Sequence, residues 1–183
     1  MQTEVRRQAE YAAMRATIRE RGTVRMVLAP IVFAAWAATA IATSAVITVA
    51  VSTLLPLVVL AAGYEAIFAL YLNVERIGRY LQVFHETGDG AAGGEWEHVT
   101  MEFGRRFPGG PDPLFTRLFM AAVSVNFLPA ILGGTNIEIG ILAVMHFLVV
   151  NRIRMGQNTA RDLRIADLER FRQLANGAAP RQS

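Results

Sequence analysis

Residues 26–72, MVLAPIVFAAWAATAIATSAVITVAVSTLLPLVVLAAGYEAIFALYL, form an apolar run in which Glu65 is the only charged side chain. As one straight helix this run of 47 residues would be about 70 Å long, whereas the hydrocarbon core of a bilayer is about 30 Å thick. The chain must therefore reverse once. The stretch AVSTLLP predicts the turn, because serine and threonine cap helix starts and Pro56 is tolerated in a first helical turn. We expect helices near residues 27–50 and 54–77.

A second apolar run covers residues 114–150 and is broken at LGGTNIE. Thr135 and Glu138 in this break match the S/T-x-x-E capping box, in which each side chain accepts a backbone N–H of the other residue. The pattern predicts that Glu138 starts a helix and has no chemical role. We expect helices near residues 113–132 and 136–153, and the second of these is short for a full span.

The apolar helices have the composition of membrane spans. The segment PIVFAAWAATAIATSAVITVAV shows no polar stripe at the helical period, although a helix on a soluble protein would show one. Hydrophobic residues make up 53 % of the 183 residues. There is no cysteine, which excludes disulfides, thiol catalysis and thiolate metal ligands. The sequence therefore predicts an integral membrane protein.

The arginines predict the orientation of the spans. All 18 basic residues are arginine: six lie in residues 1–25, four in 73–113 and seven in 152–183, while Arg117 begins the third span. The two short turns contain none. The positive-inside rule then places both termini and the middle segment in the cytoplasm, with the spans in a bacterial plasma (inner) membrane. We attribute the pI near 9.9 to arginines that lie at a membrane surface, and we expect no nucleic-acid partner.

These observations predict an all-α polytopic membrane protein with four transmembrane helices arranged as two hairpins, plus cytoplasmic amphipathic helices. The N-terminal amphipathic helix is expected to end at Gly22, and another is expected to follow the fourth span. The predicted segments are a cytoplasmic amphipathic helix at 1–25, a transmembrane hairpin at 26–77, a cytoplasmic connector at 78–112, a second transmembrane hairpin at 113–153, and a cytoplasmic helix and tail at 154–183.

Polar residues inside the predicted spans are the first candidates for a functional site. At 1.5 Å per residue, Glu65 lies about 12–15 Å and His146 about 9 Å from the cytoplasmic ends of their helices. An ionised group at a helix centre costs about 2.5–3.5 kcal/mol, so Glu65 should be paired or protonated. We expect a hydrogen bond from Glu65 to His146, Arg117 or a tyrosine, which would join the two hairpins. Tyr64 borders the same zone, and Asn126 would continue a polar path toward the far side of the membrane. The alternative is a proton or cation relay through Glu65 and His146.

A packing pattern is present in the first span, where Ala34, Ala38 and Ala42 recur every four residues. Small residues at this spacing allow helices to approach closely. The stripe therefore predicts helix packing, either within the monomer or between subunits.

The connector contains an acidic, histidine-containing stretch and a bulky apolar one. Carboxylates with imidazoles can hold metal ions, but no recognised ligand spacing is present, and we expect these acids to offset nearby arginines. The weak metal candidates are His85, Glu86, Glu95, Glu97 and His98. The bulky apolar residues must be covered by the membrane interface, the amphipathic helices or another subunit: Trp96, Val99, Met101 and Phe103. No fold is predicted for residues 95–107.

The expected function follows from these patterns. We find no serine–histidine–acid set, P-loop or paired carboxylates, so we expect neither an enzyme nor a cofactor. The sequence favours a non-enzymatic membrane component that assembles by helix packing with a sister subunit or another membrane protein. The alternative is a homo-oligomeric ion or proton channel or transporter that uses Glu65 and His146.

Overall fold

The computed structural model describes residues 2–46, 50–86, 96–106 and 113–178. Within these ranges the chain contains helices and no strands. A 3-10 turn at Val51–Thr53 precedes the second helix. The α-helices are α1 (Gln2–Val46), α2 (Leu54–Phe84), α3 (Trp96–Arg106), α4 (Pro113–Gly133) and α5 (Asn136–Ala178). The all-α prediction is confirmed, and α1, α2, α4 and α5 are each long and apolar enough to cross a membrane.

Two of the helices are longer than the sequence predicts. Helix α1 runs unbroken for 45 residues through Gly22 and Pro30, so the prediction that a helix ends at Gly22 is wrong. A single glycine in a helix costs only about 1 kcal/mol relative to alanine, which strong helix formers on both sides can offset. Helix α5 likewise continues for 43 residues, where the sequence predicts two separate helices.

The described residues form two compact units. Of the described residues, the charged unit comprises 2–24, 70–86, 96–106 and 159–178, and the apolar unit comprises 25–46, 50–69 and 113–158. Helices α1, α2 and α5 each contribute one part to each unit.

The apolar unit has a core of aliphatic and aromatic side chains from all four of its long helices. Phe119 is fully buried and contacts Phe33 and Tyr64, with ring centroids 4.9 Å and 5.5 Å away. Gly63 of α2 packs directly against Val32 of α1 and leaves no room for a Cβ atom. Helices α1 and α2 therefore approach closely at this point.

The α4–α5 connection also packs in the apolar unit. Ala50, which precedes the 3-10 turn, packs with Ala130 and Leu142, and a Cβ added at Gly134 would lie 3.2 Å from the Ala50 Cβ. The predicted capping box is confirmed: the Thr135 N–H donates to the Glu138 carboxylate at 2.8 Å. The Glu138 N–H in turn donates to the Thr135 hydroxyl at 3.4 Å.

Aromatic rings and charged residues fill the charged unit. Tyr80 of α2 contacts Phe84 and Phe171, at centroid distances of 4.9 Å and 5.7 Å, and its hydroxyl donates to Glu10 of α1 at 2.6 Å. The Arg7 guanidinium donates to the Phe84 carbonyl at 3.0 Å and so satisfies the C-terminal end of α2. These contacts join the start of α1, the end of α2 and the end of α5.

Candidate functional site

Asn126 of α4 is the centre of a buried polar network in the apolar unit. Its Oδ1 accepts a hydrogen bond from Trp36 Nε1 of α1 at 3.0 Å. Its Nδ2 donates to the Thr53 carbonyl at 2.9 Å and to His146 Nε2 of α5 at 3.0 Å. One amide therefore connects α1, the 3-10 turn, α4 and α5.

The hydrogen bonds of His146 define its tautomer. Its Nδ1 lies 2.8 Å from the Leu142 carbonyl oxygen, which only accepts, so Nδ1 carries the proton. Nε2 is then the acceptor for the Asn126 amide, and the imidazole is neutral with both nitrogens occupied. His146 and Asn126 are both buried, and the network supplies each polar atom with a partner.

Two threonine side chains of the same region hydrogen-bond to backbone carbonyls at the 3-10 turn that precedes α2. Pro56 has no N–H to donate to the Ser52 carbonyl four residues earlier. The Thr43 hydroxyl lies 2.9 Å from that carbonyl oxygen and 2.9 Å from the Thr39 carbonyl oxygen of its own helix, so the two acceptors share its single proton. The Thr53 hydroxyl donates to the Ala50 carbonyl. The Thr53 hydroxyl proton is thus engaged with the carbonyl that precedes the 3-10 turn. In an apolar environment such irregular backbone is stable only when protein groups satisfy it.

Glu65 and Arg152 form a second polar feature of the apolar unit. The guanidinium engages both carboxylate oxygens, with Nη2–Oε2 and Nε–Oε1 distances of 2.8 Å each. Both side chains are half-exposed, at 48 % for Glu65 and 43 % for Arg152, and the guanidinium also stacks on Phe68. Glu65 thus links α2 to α5, but through Arg152 and not through the partners His146 or Arg117 that the sequence suggested.

The five residues of the predicted intramembrane cluster occupy different positions. Asn126 and His146 bond to each other, and Glu65 pairs with Arg152. The buried Tyr64 hydroxyl donates to the Ile153 carbonyl at 3.2 Å and makes another α2–α5 link. Arg117 is exposed on α4. The stripe of Ala34, Ala38 and Ala42 is exposed along α1.

Arg79 is the most deeply buried cation of the charged unit. Its Nη2 lies 3.1 Å from Glu97 Oε2 of α3, and its Nη1 donates to Gln82 at 2.8 Å. The other Glu97 oxygen accepts from Arg15 of α1 at 2.8 Å. Arg79 lies beyond the apolar part of α2; burial lowers the pKa of its guanidinium, and the carboxylates of Glu75 and Glu97 act in the opposite direction. A single α3 carboxylate therefore joins α1, α2 and α3.

Glu86 anchors the start of α3. Its two oxygens accept the N–H groups of Glu97 and His98, at 2.9 Å and 3.1 Å. A carboxylate at a helix N-terminus is favoured by the helix dipole and by the unpaired N–H groups there. His98 Nδ1 also lies 2.8 Å from Glu86, and Arg15 lies 3.7 Å away.

The metal candidates of the connector are therefore engaged in other contacts. Glu86 and Glu97 bind arginines and backbone N–H groups, as described above. His85 lies between the rings of Tyr11 and Tyr80, and its Nε2 is 4.0 Å from Glu10. Glu95 lies outside the described residues. Among the residues that the structure describes, no three histidine, aspartate or glutamate side chains converge on one point.

A further set of ion pairs joins α2 to α5 in the charged unit. Arg164 Nε lies 2.7 Å from Glu75, and Arg164 Nη2 donates to the Tyr71 hydroxyl at 2.7 Å. Arg76 Nε donates to Asp167 at 3.0 Å. Sequence reasoning missed these pairs. Their only signal is that charges on the C-terminal helix recur at three- to four-residue spacing, which places them on one face.

Helix α3 presents its apolar side outward. Its acidic Glu97 is only 5 % exposed, whereas Trp96, Val99 and Phe103 are 65 %, 53 % and 62 % exposed. The positions 96, 99 and 103 lie on one face of a helix. The usual orientation of a surface helix is therefore reversed.

Comparison of the chain with protein-family models, curated proteins and solved structures finds no match.

Proposed function

We propose that the chain is a multi-pass integral membrane protein of a bacterial inner membrane, with four spans, that acts as a non-enzymatic component and assembles by helix packing. The observation that carries the membrane part is the outer surface of the apolar unit. Large apolar residues are exposed on all four of its long helices, among them Ile41, Val58, Leu132 and Phe147. Soluble proteins rarely expose contiguous apolar patches larger than a few hundred Å².

The organisation of the charged unit supports a topology with both termini in the cytoplasm. The N-terminal segment, the connector and the C-terminal segment are the parts that four spans would leave on one side of the membrane. Within the charged unit these parts contact each other, as in the Tyr80–Glu10 hydrogen bond and the Tyr80–Phe171 ring contact. The arginine distribution independently assigns that side to the cytoplasm.

Cysteine labelling tests the topology on a background that has no native cysteine. We expect cysteines introduced at Gln2, Gly90 and Ser183 to react with a membrane-impermeant maleimide only after the cells are permeabilised. A matched cysteine at Asn136, the first residue of α5, should react in intact cells. Labelling of the Gly90 variant in intact cells would overturn the four-span proposal.

The stripe of Ala34, Ala38 and Ala42 supports assembly by helix packing. All three side chains are exposed on α1, so that face is open to a helix from a sister subunit or another membrane protein. The buried polar groups support a non-enzymatic role, because the polar atoms of Asn126 and His146 bond to each other and to the backbone.

Native mass measurement in lipid nanodiscs tests the assembly proposal. We expect Ala38→Leu to weaken self-association about tenfold or more, equivalent to about 1.4 kcal/mol, because a bulky side chain prevents close approach. Ala37→Leu makes the same change on an exposed position outside the stripe and should leave the oligomer intact. A monomeric wild-type protein that captures no membrane partner would contradict the proposal.

Flux in proteoliposomes separates assembly from an ion pathway. We expect no proton or cation flux from the wild-type protein, and we expect Glu65→Gln to loosen the α2–α5 contact without changing flux. Robust flux that Glu65→Gln abolishes would instead establish the channel alternative.

A further inference from the structure

We propose that α3 is an interfacial anchor, whose outward face of Trp96, Val99 and Phe103 lies in the boundary between lipid headgroups and acyl chains. The inference rests on the membrane part of the proposed function. It adds a second mode of membrane contact, in which the connector lies in the surface of the bilayer that the other helices cross.

The polarity of α3 is reversed, because its Glu97 faces inward and its apolar residues face outward. Its polar side is held inward by Glu97, which accepts hydrogen bonds from Arg15 and Arg79. Its start is held by Glu86. These contacts prevent the helix from rotating its aromatic side inward, because rotation would strip the carboxylate from the buried Arg79. The apolar face is thus fixed outward, with Trp96, Val99 and Phe103 each more than half exposed.

The outward face of α3 has the residue types of a membrane interface. Tryptophan is enriched at membrane interfaces, where its ring is apolar and its N–H reaches polar groups. Arg106 lies seven residues after Val99 and therefore at the edge of the same face; its side chain is 70 % exposed, and its Nε pairs with Glu102 at 2.7 Å, which leaves the Nη groups to face outward contacts. A flanking arginine of this kind can reach headgroup phosphates while its stem contacts apolar surface. A short amphipathic helix with aromatic and basic residues suits an interface plane.

The outward face of α3 is too small for a second copy of α3 to be the main partner that covers it. A stable protein interface buries about 800 Å² on each partner. Tryptophan and phenylalanine each bury at most about 150–250 Å², and the face offers only these two rings and one valine. The area is therefore about half of what a stable dimer requires, whereas a bilayer covers it fully.

The chain segment between α3 and α4 is short. Only six residues separate Arg106 from Pro113, the first residue of the apolar helix α4. Seven residue steps span at most about 25 Å. If α4 crosses the bilayer, α3 is tethered within reach of the bilayer surface.

The two tryptophans of the chain give a direct test. Trp36→Phe leaves Trp96 as the single fluorophore, and Trp96→Phe leaves Trp36. Each full-length variant is reconstituted into phosphatidylethanolamine–phosphatidylglycerol vesicles that contain phosphatidylcholine brominated either near the headgroup or near the chain end. We expect shallow bromines to quench Trp96 more strongly than deep ones, with aqueous iodide quenching it several-fold less than free tryptophan. Trp36 should respond more to the deep bromines.

The outcomes separate this inference from the proposed function. Quenching of Trp96 by iodide and not by lipid, with Trp36 quenched by lipid, overturns the anchor alone. Protection of Trp96 from both quenchers overturns it in favour of a protein partner, and loss of that protection on dilution with lipid identifies a second copy. No lipid quenching of Trp36 contradicts the membrane proposal itself. If Trp36→Phe fails to fold, the difference between wild-type and Trp96→Phe signals gives the Trp96 response.

Discussion

Replacement of Asn126 by leucine should destabilise the apolar unit far more than its small change in volume suggests. The amide accepts from Trp36 and donates to His146 and to the Thr53 carbonyl. Leucine fills a similar volume but leaves the indole N–H and the imidazole Nε2 buried without partners. Each unsatisfied group costs about 1–3 kcal/mol, and hydrogen bonds between membrane helices average about 0.6 kcal/mol with a maximum near 1.7. We therefore expect a loss of about 2–3 kcal/mol in the free energy of unfolding.

Reversible unfolding in mixed detergent–lipid micelles measures this change. The control is Asn151→Leu, the same substitution at an exposed position of α5, which should alter stability by less than about 0.5 kcal/mol. A double-mutant cycle adds a sharper criterion. In the background of Trp36→Phe the indole N–H is already absent, so Asn126→Leu should cost about 1 kcal/mol less than in wild type. Equal stability of Asn126→Leu and wild type, or strict additivity with Trp36→Phe, would refute the network as a stabilising element.

Three other substitutions probe distinct contacts by the same unfolding measurement. Glu97→Gln should lower the free energy of unfolding of the charged unit by about 3–5 kcal/mol, because it leaves the buried Arg79 without a directly bonded carboxylate. A loss below about 1 kcal/mol would contradict the stabilising role of the Arg79–Glu97 pair. Gly63→Ala should cost about 1–3 kcal/mol through a clash with Val32, and Val32→Ala should restore part of that loss, whereas no rescue would argue against a close α1–α2 contact. Thr43→Val should cost about 1–2 kcal/mol by removing the donor to the 3-10 turn, and an unchanged stability would show that the turn is satisfied otherwise.

Local patterns in the sequence were sufficient for the number and type of the long helices. The apolar runs predict four segments, and the structure contains four helices of adequate length and hydropathy. The capping box of Thr135 and Glu138 was also predictable, because both partners lie three residues apart and the motif is local. Hydropathy and capping depend on residues within a few helical turns of one another, so the local sequence is enough to predict both.

Features that depend on distant partners were not predictable. Gly22 looks like a helix end, yet α1 continues through it, because residues on both sides favour a helix. Helix α3 was not predicted, because its start depends on Glu86, eleven residues away from Glu97, and no local capping signal marks it. The partner of Glu65 lies 87 residues along the chain, and depth alone selected His146 over Arg152.

The partner of Glu65 also bears on the choice between assembly and conduction. The Glu65 carboxylate bonds through both oxygens to the Arg152 guanidinium of α5. His146, the other candidate for a relay, is neutral and uses both nitrogens in bonds to Asn126 and to the Leu142 carbonyl. Each of these groups is thus engaged by a residue of another helix or by the backbone of its own helix. Both polar features link helices of the apolar unit, which is consistent with the proposed role as an assembling membrane component.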